Sequence, residues 1–556
     1  MKEIFRRLSA NPVLAAEILA ATFFSSLLTL AMPLYVIQIL SRYVTYGFHG
    51  TLITLTMGVL IAVLLQFCFR VIRTQMATVV NQGPNDDLSQ DVLTIISRAK
   101  AEPLSQLAKP RIQEILAQVQ TIQQTYDAQT LNAVLDVPFS LIFVSVIYLM
   151  SPLLAGISLL GIVLALFIGW LTNINALKTS DQLMGALVDH RELNLSAVNG
   201  METVRAFSAA PFLHKKWNDQ LPRISRLRNR LANYKELAQT LSVIWNTLTS
   251  VLVYAVGAVL VVRGELTVSA LIGVNILSGR AFQNSTRIIQ INHALGKARQ
   301  ALKALEILKQ IPLEPTRGTA LDSFTGRLQF KDLGFTYPRS INPVFESLNL
   351  HLEPGKVLAV HGENSSGKTT LAKLLAGLLE PRRGSILADG VNLLQIAPSW
   401  WRKQIMYMPQ EPVFIQGTLR ENILLLNPDL PDDQLNDILK RTDLRPFLDK
   451  TPKGLETPVT DNEKIFPPGI RQRISLARAM ASKGSLAILD EPTDTMDQKG
   501  IQAVYAAMNA LAKSGKTIIV FSNDPNILKG ASLLLNLNRK PVPELSCAMP
   551  AAKPGV

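Results

Sequence analysis

The sequence predicts an all-α transmembrane domain of six helices fused to an α/β P-loop NTPase domain. Three observations lead there. Long apolar runs fill the chain before residue 300 and then stop. Beyond about residue 313 the pattern changes to short β-rich runs and amphipathic helices, the mark of α/β layering. That second region carries a glycine-rich phosphate loop between a strand and a helix.

The chain has 556 residues, too many for one ordinary domain. It is 48 % hydrophobic and 18 % charged, poorer in charge than soluble domains. The formal net charge of +14 is explained by basic loops flanking membrane helices, and no nucleic-acid recognition motif accompanies it. Cys68 sits in an apolar run and Cys547 in a Pro/Ala-rich tail, so neither a disulfide framework nor a metal site is expected.

A bilayer core needs roughly 20 apolar residues in a helix. Six segments qualify, at about 15–40, 51–72, 131–149, 152–173, 239–262 and 266–288. The first is too long for a signal peptide and is read as a retained helix. The third and fourth flank a tight turn at Ser151-Pro152. The sixth is the least apolar, being interrupted by Arg280 and Asn284. The short connections carry only Arg42, Arg263 and Glu265, whereas ten Lys or Arg residues lie from Lys178 to Lys235. Lys2, Arg6 and Arg7 precede the first helix. Lys/Arg excess marks the cytoplasmic side, so both termini and both long connections are expected there. The long connections, 85–130 and 178–238, keep helical periodicity and are expected as continuous helices projecting from the membrane. A linker at Leu313–Gly318 ends this domain. The expected division is 1–312 transmembrane, 313–540 nucleotide-binding and 541–556 a disordered Pro/Ala-rich tail.

Gly362-Glu363-Asn364-Ser365-Ser366-Gly367-Lys368-Thr369 matches GxxxxGK[ST] and is followed by Thr370. Its glycines let the backbone wrap phosphates, and amides at the helix start point at them. Lys368 is expected to neutralise the β and γ phosphates of ATP, and Thr369 to ligate Mg²⁺. Leu486–Glu491 is an apolar strand ending in two acids, with Asp490 suited to the Mg²⁺ shell and Glu491 to polarising the attacking water.

The order phosphate loop, Gln410, a helix beginning near Gly469, Asp490-Glu491-Pro492-Thr493 and TIIVFSND resembles the ATPase domain of ABC transporters. The resemblance implies that Tyr337 stacks on adenine. It implies that Gln410 senses Mg²⁺ and couples to the membrane domain, and that Asp497 meets the opposite subunit. In the membrane half, Leu135–Phe139, VNGMETVRAFSAAPFLHKKW and GELTVSALIGVNILSGRA resemble type I secretion exporters. With few residues before the first helix, the chain resembles the branch lacking an N-terminal peptidase-like domain, which exports proteases, lipases and repeat-rich proteins. An ABC exporter type 1 fold in a bacterial inner membrane is therefore expected. The expected partners are a second half-transporter, a periplasmic adaptor and an outer-membrane duct protein. Export of lipid, peptide or drug is the alternative within the family.

Two departures from the family stand out. Where its signature reads LSGGQ, this chain has Phe466-Pro467-Pro468-Gly469-Ile470, and proline offers no N–H to a phosphate. Proline does suit a helix start, so the fold should survive. Where the family has Thr-His-Arg, this chain has Ser522-Asn523-Asp524, and Asn523 cannot carry positive charge. Both changes together imply slow hydrolysis and a heterodimer in which a partner supplies an intact signature to the site on Lys368 and Glu491. An ATP-binding regulatory or structural subunit is the reading from a different class.

Overall fold

The computed structural model describes residues 2–47, 49–107, 109–338, 340–460 and 466–547. The chain divides into two compact units, residues 1–97 with 107–311, and residues 98–106 with 312–556.

The first unit is helical. α1 (Lys2–Ala10) precedes a nearly unbroken stretch of α2 (Pro12–Leu28), α3 (Ala31–Gln38), a π-turn at Ile39–Tyr43 and α4 (Val44–Tyr46). α5 (His49–Arg98) has 50 residues, about 75 Å at 1.5 Å per residue, far more than a bilayer needs. After α6 (Ala101–Ser105) come α7 (Lys109–Thr125), α8 (Ala128–Met150), α9 (Pro152–Asn199), α10 (Met201–Ala206), α11 (Ala210–Val262) and α12 (Val268–Lys309). Local chemistry sets several of these boundaries. Asp127 caps α8 by accepting from the Thr130 amide at 2.8 Å. At the tight turn, the Ser151 amide closes α8 on the Ile147 carbonyl while Pro152 opens α9 at a position that needs no N–H. Thr267 caps α12 through the Ala270 amide.

Among the described residues, five helical segments are long and apolar enough to cross a membrane: Pro12–Tyr46, α5, α8, α9 and α11. The most apolar stretch of α5 buries none of its residues inside the chain, as a surface facing lipid or another subunit would. The segment expected at 266–288 forms part of α12, which does not reach that apolarity. Its polar residues have work inside the unit: Ser285 meets Ser140 at 3.0 Å, Asn275 accepts from Ser250 at 2.6 Å, and Arg287 pairs with Asp136.

The long connections differ from the expectation of continuous helices. α5 stops at Arg98 because Lys100 adopts an extended conformation (φ −54, ψ 132). Residues 98–106 then join the second unit, where the Lys100 amide bonds the Pro312 carbonyl and Lys100 pairs with Glu380 at 2.7 Å. Glu102 pairs with Arg382. In the other connection α9 ends at Gly200, and Ser208, with φ +49, turns the chain before α11.

The second unit holds two sheets. β1 (Leu328–Phe335), β2 (Phe345–Leu352), β4 (Arg383–Ala388) and β5 (Val391–Asn392) form an antiparallel sheet in the order β2-β1-β4-β5. β3 (Val357–His361), β6 (Ile405–Met408), β9 (Leu486–Asp490), β10 (Thr517–Phe521), β11 (Leu533–Asn536) and β12 (Glu544–Cys547) form the other, ordered β12-β11-β3-β10-β9-β6. All its pairings are parallel except β11 with β12. Every residue of β9 and β10 is buried, which explains their unbroken apolar runs. A short ladder of β7 (Gly417–Thr418) and β8 (Pro458–Val459) adjoins a helical layer. That layer is α15 (Leu419–Ile423), α16 (Asp432–Arg441), α17 (Arg445–Leu448) and α18 (Pro468–Ala481), packed around Phe414, Leu435, Leu439, Phe466 and Ile474. α13 (Lys368–Leu375), α14 (Pro398–Gln404), α19 (Gln498–Lys513) and α20 (Pro525–Gly530) complete the unit.

The tail expected as disordered from Pro541 contains β12. Its backbone pairs Glu544 with Asn536 and Cys547 with Leu533, extending the sheet by one antiparallel strand. The rest of that tail, residues 548–556, lies outside the described residues.

Candidate nucleotide site

Strand order assembles the site. In the sequence β3-β10-β9 the three carboxyl ends lie side by side, so the loops after His361, Phe521 and Asp490 converge. A crevice at the carboxyl edge of a parallel sheet is where such folds bind ligands.

The phosphate loop runs from β3 into α13. Ser365 (φ +67) and Gly367 (φ +110) take the left-handed conformations that curl the backbone. At Gly367 a Cβ would also come within 2.4 Å of the Val344 side chain, so glycine is required twice over. Lys368 is 7 % exposed; it donates to the Gly362 carbonyl and pairs with Glu491 Oε1 at 3.0 Å. Ser366 is 6 % exposed and its hydroxyl has no partner among the described residues. Thr369 donates to Gln410 Oε1 at 3.3 Å, and Thr370 meets the Tyr337 hydroxyl at 3.0 Å. Tyr337 leans edge-on against Phe335 at 4.9 Å and remains partly exposed, as a ring offered to a base must be. The side chains of Glu363 and Asn364 are exposed.

Asp490 is fully buried and, among the described residues, neither carboxylate oxygen meets the geometry of a hydrogen bond. Burial first, then the Glu491 charge, pushes its carboxyl up to about 6, against the pull of the neighbouring Thr369 hydroxyl, Lys373 and Lys368. An orphaned buried carboxylate beside a threonine hydroxyl and a glutamine carbonyl is an all-oxygen donor set suited to Mg²⁺. The unpartnered Ser366 hydroxyl and the curled amides suit phosphate oxygens.

The raised Asp490 value has a sign. Without metal, this group stabilises the fold fully below the unfolded value of 3.8 and ceases to do so as pH rises through about 6. Mg²⁺ held at this donor set would compete with the proton for the same carboxylate. Stabilisation by Mg²⁺ with ADP, read as a thermal shift, should therefore shrink as pH falls through about 6. Asp490→Asn should flatten that dependence; an identical pH profile in the variant would remove Asp490 from the metal shell.

Glu491 takes φ +45 and its amide bonds the Phe521 carbonyl at 2.9 Å, which turns its side chain toward the phosphate loop. Asn523, at the switch position, is fastened within its own chain. Its Oδ1 accepts from the Gly362 amide at 3.1 Å and its Nδ2 donates to the Gly362 carbonyl at 2.9 Å. Both ends of the amide are engaged by one glycine of the same chain, which fixes the side chain and takes one of its two N–H donors.

The signature position forms the start of α18. Pro467 is the N-cap (φ −55, ψ 149), and the helix begins at Pro468. Both prolines are exposed and lack an N–H, so the helix start presents its first amides only from Gly469 and Ile470. Asp497 caps α19 through the Gly500 amide at 2.9 Å and pairs with Arg473, which also holds Asp443 at 2.8 Å.

Two residues were not singled out from sequence. Asn538 accepts from the Glu363 amide at 2.7 Å, just after Asn523 takes the Gly362 amide. Gln472 donates to the Gln410 carbonyl at 2.6 Å. The polar Asn536-Leu537-Asn538 step that leaves an apolar strand was the available signal for the first.

Comparison with known proteins agrees with this geometry. Residues 345–494 match the ABC transporter family and residues 16–286 match the ABC transporter transmembrane region. The chain is 25 % identical over 534 residues to the toxin RTX-I translocation ATP-binding protein of Actinobacillus pleuropneumoniae, covering 95 % of this chain and 75 % of that protein. The leukotoxin translocation ATP-binding protein LktB of Mannheimia haemolytica gives the same identity and coverage. The exotoxin translocation ATP-binding protein PaxB of Pasteurella aerogenes is 25 % identical over 530 residues, 94 % of this chain and 74 % of its own length. In fold, the chain is similar to a bacterial Atm1-family ABC exporter with ATP bound, with a TM-score of 0.83 at 18 % identity over 97 % of this chain and 96 % of that one.

Proposed function

From the premise that this chain is an ABC exporter half-transporter with an ATP-hydrolysing domain, we propose that it drives type I protein secretion as the degenerate half of a heterodimer. The similarity to three toxin translocation proteins along almost the whole chain supports the secretion reading. Six membrane crossings, with α12 the sixth, an inner-membrane location and both termini in the cytoplasm belong to this proposal. So do a periplasmic adaptor and an outer-membrane duct protein as partners.

The observation that carries the heterodimer is the pairing of two changes in one chain: a signature helix opened by Pro467 and Pro468, and a switch side chain fastened to Gly362. A partner with an intact signature would complete the site on Lys368 and Glu491, while the site facing Pro467 and Pro468 would serve mainly as an ATP clamp.

ATP binds with Tyr337 against the base and residues 362–370 around the phosphates. Lys368 is now shared between the Gly362 carbonyl and Glu491. Phosphate oxygens compete for its ammonium, and its transfer to them frees the Glu491 carboxylate to polarise water. Thr369, Gln410 and Asp490 would hold Mg²⁺, which neutralises charge developing on the phosphates.

Lys368→Ala removes a charge-assisted hydrogen bond to phosphate, worth about 1.5–3 kcal/mol. ATP affinity of the full-length chain should fall roughly tenfold to a hundredfold, checked by titration with a fluorescent nucleotide. Cross-linking and affinity purification from native membranes tests the assembly. A second half-transporter with an LSGGQ signature, together with an adaptor, is the expected result. Recovery of self-copies alone, with brisk vanadate-sensitive ATPase at two sites, would overturn the heterodimer.

A further inference from the structure

We propose that a cavity in the helical unit, walled by α9, α11 and α12, binds a phosphate-bearing anion. The cavity has a volume of about 350 Å³, within the range of small-ligand sites. Gly169 and Ile289 close one part of its wall. A Cβ on Gly169 would come within 2.3 Å of Ile289, so the glycine lets α9 and α12 press together there.

The rest of the lining is rich in donors and, among the described residues, holds no acid. Asn173 on α9 and Tyr234, Lys235, Gln239 and Ser242 on α11 all face the space. Among the described residues none of these five side chains has a hydrogen bond or ion pair inside the chain. Thr172 and Thr286, which also line it, spend their hydroxyls on their own helices, on Ile168 and Phe282 carbonyls. Lys235 therefore stands without a carboxylate, and Lys297 lies close enough for its like charge to act on it. Four unspent polar groups around an unbalanced cation fit an anion with several acceptor oxygens better than a cation or an apolar ligand.

The level of the cavity suits a phosphate. Asn173 and Gln239 sit at the inner ends of the apolar runs 152–173 and 239–262, where headgroups begin. Exposed apolar residues, Phe167 and Trp170 on α9 and Val243 and Ile244 on α11, continue from that level along the expected membrane-spanning stretches. Basic pockets between helices at the cytoplasmic boundary recognise anionic lipid headgroups. A soluble phosphate compound shares the chemistry, and the experiment separates the two.

The full-length chain, purified in detergent, is incubated with phosphatidylglycerol or phosphatidylcholine, and bound lipid is read by native mass spectrometry. A parallel arm reads the thermal shift produced by inorganic phosphate without lipid. Wild type and Lys235→Arg should retain phosphatidylglycerol over phosphatidylcholine. Lys235→Gln should lose roughly tenfold of that retention, the loss expected for one charge-assisted bond. Ala238→Trp, which fills the space without touching charge, should lose it too. Stabilisation by inorganic phosphate alone that vanishes in Lys235→Gln assigns the site to a soluble anion. The proposal is overturned if Lys235→Gln and Ala238→Trp match wild type in both arms.

Discussion

Replacing Glu491 by glutamine should slow ATP turnover of the assembled complex by about 10²–10⁴-fold, the usual span for loss of a positioned general base. Glutamine preserves the shape of the side chain and its reach toward Lys368 at 3.0 Å. It removes the negative charge that, in the proposed mechanism, polarises water. Nucleotide affinity should hold or rise, because Lys368 no longer has a carboxylate competing with the phosphates. Single-turnover hydrolysis and equilibrium binding, measured on the same preparation, separate the two effects. Unchanged turnover would mean that the partner's site does all the hydrolysis and that this chain's site only holds ATP. Because the switch position has Asn523 bound to Gly362, the attacking water falls to Glu491 in the proposed mechanism.

Removing Asp136 should be the most damaging single change in the helical unit, at about 3–5 kcal/mol, the penalty for breaking a buried ion pair from one side. Asp136 on α8 takes Arg73 from α5 and Arg287 from α12, the latter at 3.2 Å. Arg73 is 7 % exposed and its Nε already lacks a partner. Asp136→Ala leaves that guanidinium buried without a counter-charge. Asp136→Asn keeps the acceptor and should cost less. The double variant Asp136→Leu with Arg73→Met should recover much of the loss, since a well-packed apolar pair can replace a buried ionic one. Thermal unfolding in detergent reads all three. With Asp136→Leu and Arg73→Met also measured singly, a double-variant loss equal to the sum of the two single losses would show that the pair carries no coupling.

The placement of Lys368, Asp490 and Glu491 at one sheet edge was readable from the sequence because motif spacing and strand context fix it. The strand–loop–helix around Gly362–Thr369 leaves one backbone path. Asn523 was legible as a departure but not as a clamp. Its partner is a glycine 161 positions away, brought beside it only by the parallel pairing of β3 with β10. Helix caps at Asp127, Ser151 and Thr267 lie where their residue types suggest. α12 was harder, because its polar residues are spent on contacts with other helices and dilute the apolar run that marks a span. The β12 strand was hidden by a Pro- and Ala-rich composition that suggests a loose end, while its alternation is too short to register.

Residues 98–106 belong to a unit whose remaining residues are made some two hundred positions later. During synthesis this nine-residue piece leaves the ribosome with its own sites of attachment still unwritten. Lys100 and Glu102 must wait for Glu380 and Arg382. The carboxy-terminal part released by a cut at Pro312 would therefore be a body with one piece missing. It should gain stability when a synthetic peptide of residues 98–106 is supplied in trans.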